Sequence, residues 1–414
     1  MRENDVMRFR HLLKGVDVVD ILAFGSAISP EYLINLLAQA SWNGRYSERY
    51  GFIGSSLPGN GWHAGFNTLL CGHHVDWVIG GFFGTVDHIN APLKQNQIEV
   101  HNIPQGIASL LLSTEERTVT SHIGIGTFID PVHKGTLANR DHCPKLTVSR
   151  RVENKIEYTI PNSDLLLMRG SGRTKNGMIV LENDPIDLDL DVCLKAAKAR
   201  GAKIAIQIPD RIVQQPQLVC DASLFDEVFI APSALHKVTF LPHRYHLNPD
   251  NLSRRCEVAS RLAEQLSERI TLDEKVIVGI GLPVPAVNII RNTPNRRPFS
   301  TYIESGMLGD ILYDGEGFGY CYNGKKHLSQ NQIFAKIWSG DIDHAILGAG
   351  DIDQNRNIHV AELGDKFFGV GGFIDISQSI DKLTFCHREK PISESLPEVS
   401  YANNPKQDVM FLCG

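Results

Sequence analysis

Short, continuous apolar runs closed by Gly, Pro or Asp recur along this chain, with helical segments between them. The clearest are VDILAF (19–24), VDWVIGGFF (75–83), VTSHIGIGTFI (119–129), DLLLMRG (164–170), KIAIQI (203–208) and EVFIA (227–231). A strand that is apolar on both sides must be covered on both faces, and a parallel sheet flanked by helices provides that cover. The intervening segments read as helices. Pro30 opens EYLINLLAQ, where Leu33, Leu36 and Leu37 recur at helical spacing. DVCLKAAKARG (191–201) stops on glycine immediately before KIAIQI. The order implies βα units and predicts the α/β class, with open, mainly parallel sheets.

A duplication refines this. DLLLMRGSGRTKNGMIV (164–180) aligns without gaps onto DHAILGAGDIDQNRNIH (343–359), so that Asp164 meets Asp343 and Ile179 meets Ile358. The segment EKVIVGIGLPVPAVNII (274–290) repeats the order of VDILAFGSAISPEYLINLL: a strand, a turn and a helix. Between them lies the polar stretch HKVTFLPHRYHLNPDNLSRR (236–255), with two prolines, followed by the amphipathic CEVASRLAEQLSERI. Two related halves are expected, 1–245 and 246–414, the first carrying extra residues in its middle.

Several function classes are disfavoured by composition. The 414 residues include 41 basic and 47 acidic side chains, a formal charge of −6, and the basic pairs (Arg150-Arg151, Arg254-Arg255, Arg296-Arg297, Lys325-Lys326) are short. Nucleic acid is therefore not the expected partner. No apolar run approaches the ~20 residues of a membrane span, and MRENDVMRFRHLLKG lacks the apolar core of a signal peptide. Eight scattered cysteines without a CxxC pair suggest a reduced, cytoplasmic protein without a zinc site, and His73-His74 point to opposite faces if they lie on a strand. No metal is expected.

Three glycine-containing turns sit at strand ends: NIPQGIA (102–108), IGIGTFIDP (123–131) and GVGGFIDI (369–376). Glycine lets backbone amides approach an anion or a developing oxyanion closely. None is a dinucleotide fingerprint or a phosphate-binding P-loop. A fourth segment, FSTYIESGMLGD (299–310), places Glu304 after an apolar, β-branched run and before a Ser-Gly turn. Glu304 reads either as a solvated turn carboxylate or as a nucleophile or base presented among small residues. Ser305 lacks the GxSxG elbow of a serine nucleophile.

Taken in order, these segments resemble the class I coenzyme A transferases, in the fused form with both halves in one polypeptide, as in the acetate/propionate CoA-transferases. WVIGGFFG, IEVHNIPQGIASLLL and IGIGTFIDP look like the family's first half, and SDLLLMRGSGRTKNGMI like its segment before the crossover helix. VIVGIGLPVPAVN, YIESGMLGD, IWSGDIDHAILGAGDIDQNRNI and GVGGFIDI look like its second half. The resemblance implies ping-pong transfer of CoA from an acyl-CoA to a small carboxylic acid through a glutamyl-CoA thioester on Glu304, with CoA as substrate and no tightly bound cofactor. It further implies an acyl pocket lined by Gln105, loop amides at Gly372 and Phe373 with Gly371 in the same loop for close approach, Asn288 near the nucleophile, a wall at Gly126 and Thr127, and a homodimer or homotetramer.

Four departures stand out. Asp310 replaces the last glycine of the family's glutamate motif, Tyr32 falls where some members have a site asparagine, Arg356 takes the place of a turn glycine, and after GVGGF the chain continues as KLTFCHREKPISESLPEV. An acyl-CoA hydrolase on the same scaffold, or a non-catalytic protein with a CoA or acyl cleft, are the alternative readings.

Overall fold

The computed structural model describes the whole chain except residues 43, 45, 46, 140, 183–185, 241–256, 295, 297, 323, 325 and 390, and the side chains of 316, 326 and 327. The expected boundary at 245/246 lies outside the described residues, as does most of the stretch between the halves.

Two seven-stranded sheets dominate. The first contains β1 (Val18–Ile21), β2 (Tyr50–Ser56), β3 (Val75–Phe82), β4 (Glu99–Asn102), β5 (Leu165–Arg169), β6 (Lys203–Ile208) and β7 (Glu227–Ile230), in the order β7-β6-β5-β1-β2-β3-β4. All its pairings are parallel. The second contains β8 (Lys275–Val278), β9 (Ser300–Tyr302), β10 (Met307–Leu308), β11 (Lys326–His327), β12 (His344–Gly348), β13 (Lys382–His387) and β14 (Asp408–Cys413), ordered β11-β10-β9-β8-β12-β13-β14. It is parallel except where β10 pairs antiparallel with β9 and β11. The α/β class and its mainly parallel sheets are thus observed.

The duplicated segment folds alike in both halves. β5 begins at residue 165 and β12 at 344, an offset of 344 − 165 = 179. Two short strands follow at the same offset: Gly172–Arg173 matches Asp351–Ile352, and Ile179–Val180 matches Ile358–His359. The leading aspartates explain why this register repeats. Asp164 Oδ2 accepts from Val18 N–H at 2.9 Å and Asp343 Oδ2 from Lys275 N–H at 2.8 Å, each clamping the start of its central strand.

VTSHIGIGTFI behaves differently from the buried parallel strand expected. Only Thr118–Ser121 is a strand, and it belongs to a separate antiparallel sheet with Lys155–Thr159 and Ser149–Val152. Its alternating, half-exposed residues do not suit a sheet covered on both faces. This small sheet occupies the extra middle of the first half. β2 was not signalled by pattern: YGFIGSS is fully buried despite two glycines and two serines, and at Gly51 any side chain would collide with the Trp77 ring. KLTFCH, where the sequence departs from the family, still supplies β13, flanked on both sides.

The halves meet through helices at the carboxyl ends of the strands. The helix Gln105–Leu112 of the first half packs on Gln330–Trp338, which packs on Phe373–Ser379. Polar side chains fix the contact: Ser109 Oγ donates to Asn331 Oδ1 at 3.0 Å and Ser55 Oγ to Gln330 Oε1 at 2.9 Å. No helix of the described residues is long and apolar enough to cross a membrane.

Candidate active site

Glu304 sits on the tip of the β9–β10 hairpin. Gly306 N–H closes the turn on Ile303 O at 2.9 Å, and Ile303 N–H bonds Met307 O at 3.1 Å. Gly306 has φ +88°, and a side chain there would strike the Leu328 carbonyl, so the residue must be glycine. Ser305 is buried with its hydroxyl donated to Gly319 O at 2.7 Å. The turn therefore holds Ser305 inward and turns Glu304 toward the seam with the first half.

There the carboxylate meets the loop Gly369–Gly372. This loop is bonded to the first half through its backbone: Phe83 N–H donates to Phe368 O (2.7 Å), Gly371 N–H to Gly81 O (2.9 Å) and Gln105 N–H to Gly371 O (2.9 Å). Asn102 completes the seat, accepting from Val370 N–H at 3.0 Å while its own amide donates to Gly80 O and Gly81 O. With Gly371 N–H engaged and Phe373 N–H bonded to Val370 O (3.0 Å), Gly372 N–H is the loop amide left beside the Glu304 carboxylate, whose charged form it favours. This corrects the expectation for Phe373. Its amide closes the loop, and its contribution is the ring, which lines the cavity.

Burial raises the Glu304 carboxyl to about 7, against the Gly372 hydrogen bond, which lowers it. A carboxyl raised that far is less solvated and a better nucleophile once ionised. Gln105 is fully buried, and neither end of its carboxamide has a hydrogen-bond partner. A methyl placed on Gly371 would lie 3.7 Å from Gln105 Oε1 and 3.8 Å from Glu304 Oε1, so both side chains converge on one loop residue. An unsatisfied buried amide beside a carboxyl leaves donor capacity free for a ligand.

The cavity opening from Glu304 measures about 520 Å³ and lies between the carboxyl ends of the two sheets. Phe24, Gly25, Phe82 and Thr85 line it from the first half, and Gly279–Leu282, Leu347–Gly350 and Phe368–Phe373 from the second. Ligand sites in open α/β sheets form at this end of the strands.

Asp375 was quoted within GVGGFIDI but not singled out. It is fully buried, with Oδ2 accepting from Gly106 N–H at 3.1 Å and Oδ1 from Trp338 Nε1–H at 3.2 Å. Burial and the nearby Glu304 push its carboxyl up to about 8, opposed by those two donors. The available signal was an acid inside an otherwise apolar helix start.

The remaining expected site residues lie elsewhere. Asn288 is buried with both ends of its amide on the Leu312 backbone, at 2.8 and 2.9 Å, and acts as a strut for the strand Ile311–Leu312. Gly126 and Thr127 lie in a turn closed by Asp130, which accepts from Gly126 N–H at 2.9 Å; neither lines the cavity. Their loop docks on Gln378, which accepts from Gly124 N–H at 2.7 Å.

The departures are also placed. Asp310 lies beyond the completed turn, with its carboxylate 3.8 Å from Arg291, so it leaves the Glu304 hairpin intact. Tyr32 is buried in the first-half core with its hydroxyl donated to Asp5 at 2.7 Å, and Arg356 adopts φ +63° in the glycine-type turn.

Comparison with known proteins finds relatives by sequence and by fold. No protein-family profile matches the chain. It is 24% identical over 383 residues to the acetate CoA-transferase YdiF of Escherichia coli (strain K12), covering 88% of this chain and 72% of that protein. It is 27% identical over 344 residues to the caffeate CoA-transferase of Acetobacterium woodii, covering 73% of this chain and 62% of that one. Among solved structures, an acyl-CoA transferase from E. coli O157:H7 (YdiF), in a thioester complex with CoA, superimposes with a TM-score of 0.78 at 21% identity, over 95% of this chain and 82% of that one. The α subunit of a malonate decarboxylase from Acinetobacter baumannii reaches 0.53 at 12% identity, over 90% of this chain and 64% of its own, a likeness of fold alone.

Proposed function

We propose that this chain, a homologue of the class I coenzyme A transferases along most of its length, transfers CoA from an acyl-CoA to a carboxylic acid, with Glu304 as covalent nucleophile. The observation that carries the reading is the Glu304 carboxylate held on a hairpin tip against Gly372 N–H, at a cavity lined from both sheets; we read the halves as 1–245 and 246–414.

The chemistry follows from the groups present. A Glu304 oxygen attacks the thioester carbonyl carbon, and the carbonyl electrons move onto oxygen. Gly372 N–H, released as Glu304 gives up its charge, and the unpartnered Gln105 amide are placed to stabilise that oxyanion. Collapse expels CoA thiolate and leaves an acyl–glutamyl anhydride. The thiolate then attacks the glutamyl carbonyl, releasing the first carboxylate and forming the Glu304–CoA thioester. The acceptor carboxylate repeats both steps in reverse order. Each step exchanges a thiolate for a carboxylate, so no proton is consumed or released. The site contributes orientation and preorganised donors. The related YdiF structure, which holds a CoA thioester, supports the same intermediate here.

Incubation with acyl-CoA, followed by borohydride reduction or hydroxylamine trapping and peptide mass mapping, tests this. The modification is expected on Glu304. Labelling of another residue, or of none across a broad acyl-CoA panel, refutes the proposal.

A further inference from the structure

We propose that the acyl group handled at Glu304 is apolar, uncharged and larger than acetyl: a branched, medium-length or aromatic monocarboxylic acid rather than a dicarboxylic one. This rests on the transferase reading and adds the substrate class.

Size is the first observation. The cavity holds about 520 Å³. At roughly 30 Å³ per water-sized group, an acetyl group together with the thioester end of the CoA arm leaves a large part of it unfilled. Its walls are aromatic and aliphatic, with Phe24, Phe82, Phe318, Leu347, Phe368 and Ile376 among them. Such a surface favours an apolar guest, by about fourfold in affinity for each CH₂ group buried.

Charge is the second, independent observation. Among the described lining residues there is no Lys, Arg or His, and Glu304 is the one acid. Of the lining hydroxyls, Thr85 Oγ1 donates to Leu57 O at 3.4 Å, while Ser56 Oγ accepts from Gly25 N–H at 2.9 Å and keeps its own O–H to donate. Gly372 N–H and the Gln105 amide converge near Glu304 to serve one carboxylate, and the described lining residues offer no cationic side chain for a second. The carboxylate served is Glu304 itself or, once Glu304 is a thioester, the acceptor acid. A second carboxylate at the far end of the acyl chain would face phenyl rings with no cationic partner, in the field of an ionised Glu304. A buried, unpaired carboxylate is strongly disfavoured.

Isocaproyl-CoA and succinyl-CoA provide the test, since an isopropyl group in the first replaces the carboxylate of the second at nearly constant shape. With the full chain, kcat/KM for isocaproyl-CoA is expected to exceed that for succinyl-CoA by about a hundredfold, and that for acetyl-CoA by at least about tenfold. Calorimetry on Glu304→Gln, which cannot form the anhydride, should show the same ranking in binding alone. Leu363→Arg, on a partly open stretch of wall, should raise succinyl-CoA binding relative to isocaproyl-CoA. Succinyl-CoA or acetyl-CoA binding as well as isocaproyl-CoA to Glu304→Gln overturns the proposal. A preserved binding preference with no label trapped on Glu304 supports it and counts against the transferase reading alone.

Discussion

A methyl group on Gly372 would collide with Oε2 of Glu304, although Gly372 itself has φ −85° and ψ 3°, a conformation open to any residue. Glycine is needed there for room and not for backbone freedom. Gly372→Ala is therefore expected to fold with little change in Tm while displacing the carboxylate from its donor. Loss of that oxyanion contact corresponds to about 10²–10³ in kcat. Steady-state rates beside a thermal melt decide it, and an alanine variant of full activity would place the reacting carboxylate elsewhere.

The raised Glu304 carboxyl predicts an acid limb. Below about 7 the group is protonated and cannot attack, so kcat/KM should climb through that pH and level off above it. Stability runs the other way. The folded state holds this proton more tightly than the unfolded chain, so the associated stability is fully present below the ordinary value of 4.5 and is lost as pH rises through about 7. Glu304→Gln should thus be more stable than wild type at pH 8, by about 1–3 kcal/mol, and alike near pH 4. Denaturant titrations at the two pH values measure this directly.

Gln105 separates function from stability. Its carboxamide is buried without a partner, which costs the fold free energy. Gln105→Leu should leave Tm unchanged or raise it, while lowering kcat by about 10²-fold or more through loss of the donor. A variant that loses stability and keeps its rate would make Gln105 a structural residue.

Asp375 links the two halves beneath the site. Asp375→Asn keeps the shape but turns one acceptor oxygen into an NH₂ facing Gly106 N–H or Trp338 Nε1–H. About 1–3 kcal/mol of stability should be lost. Because Gly106 follows Gln105, kcat should fall with KM nearly constant. Asp375 is expected to titrate above Glu304, so the acid limb near 7 should stay in place. Pre-steady-state rates across pH would reveal a displaced limb if Asp375 were instead ionised when Glu304 titrates.

The parts of the fold legible in sequence were those where a local pattern and the tertiary environment agree. KIAIQI, DLLLMRG and EVFIA are apolar throughout because both faces of their sheet are covered, and each is a strand within one residue of its expected bounds. The gap-free duplication was readable because the aspartate clamp fixes the register of β5 and β12 equally. YGFIGSS was not readable, since its glycine makes room for a tryptophan that comes from the next strand. At the site, Glu304, Gln105 and Gly372 could be named from motif order. The use of the Phe373 amide, the two bonds from Asn288 to Leu312 and the burial of Asp375 depend on distant partners that no local pattern encodes.

The loop from Phe368 to Gly372 belongs by sequence to the second half, yet its backbone is hydrogen-bonded to β3 and Gln105 of the first. The donor that faces Glu304 is thus carried on the seam itself. Separating the halves would break these bonds and free the loop that carries Gly372. The position of this amide beside Glu304 therefore depends on the two halves staying joined at the seam.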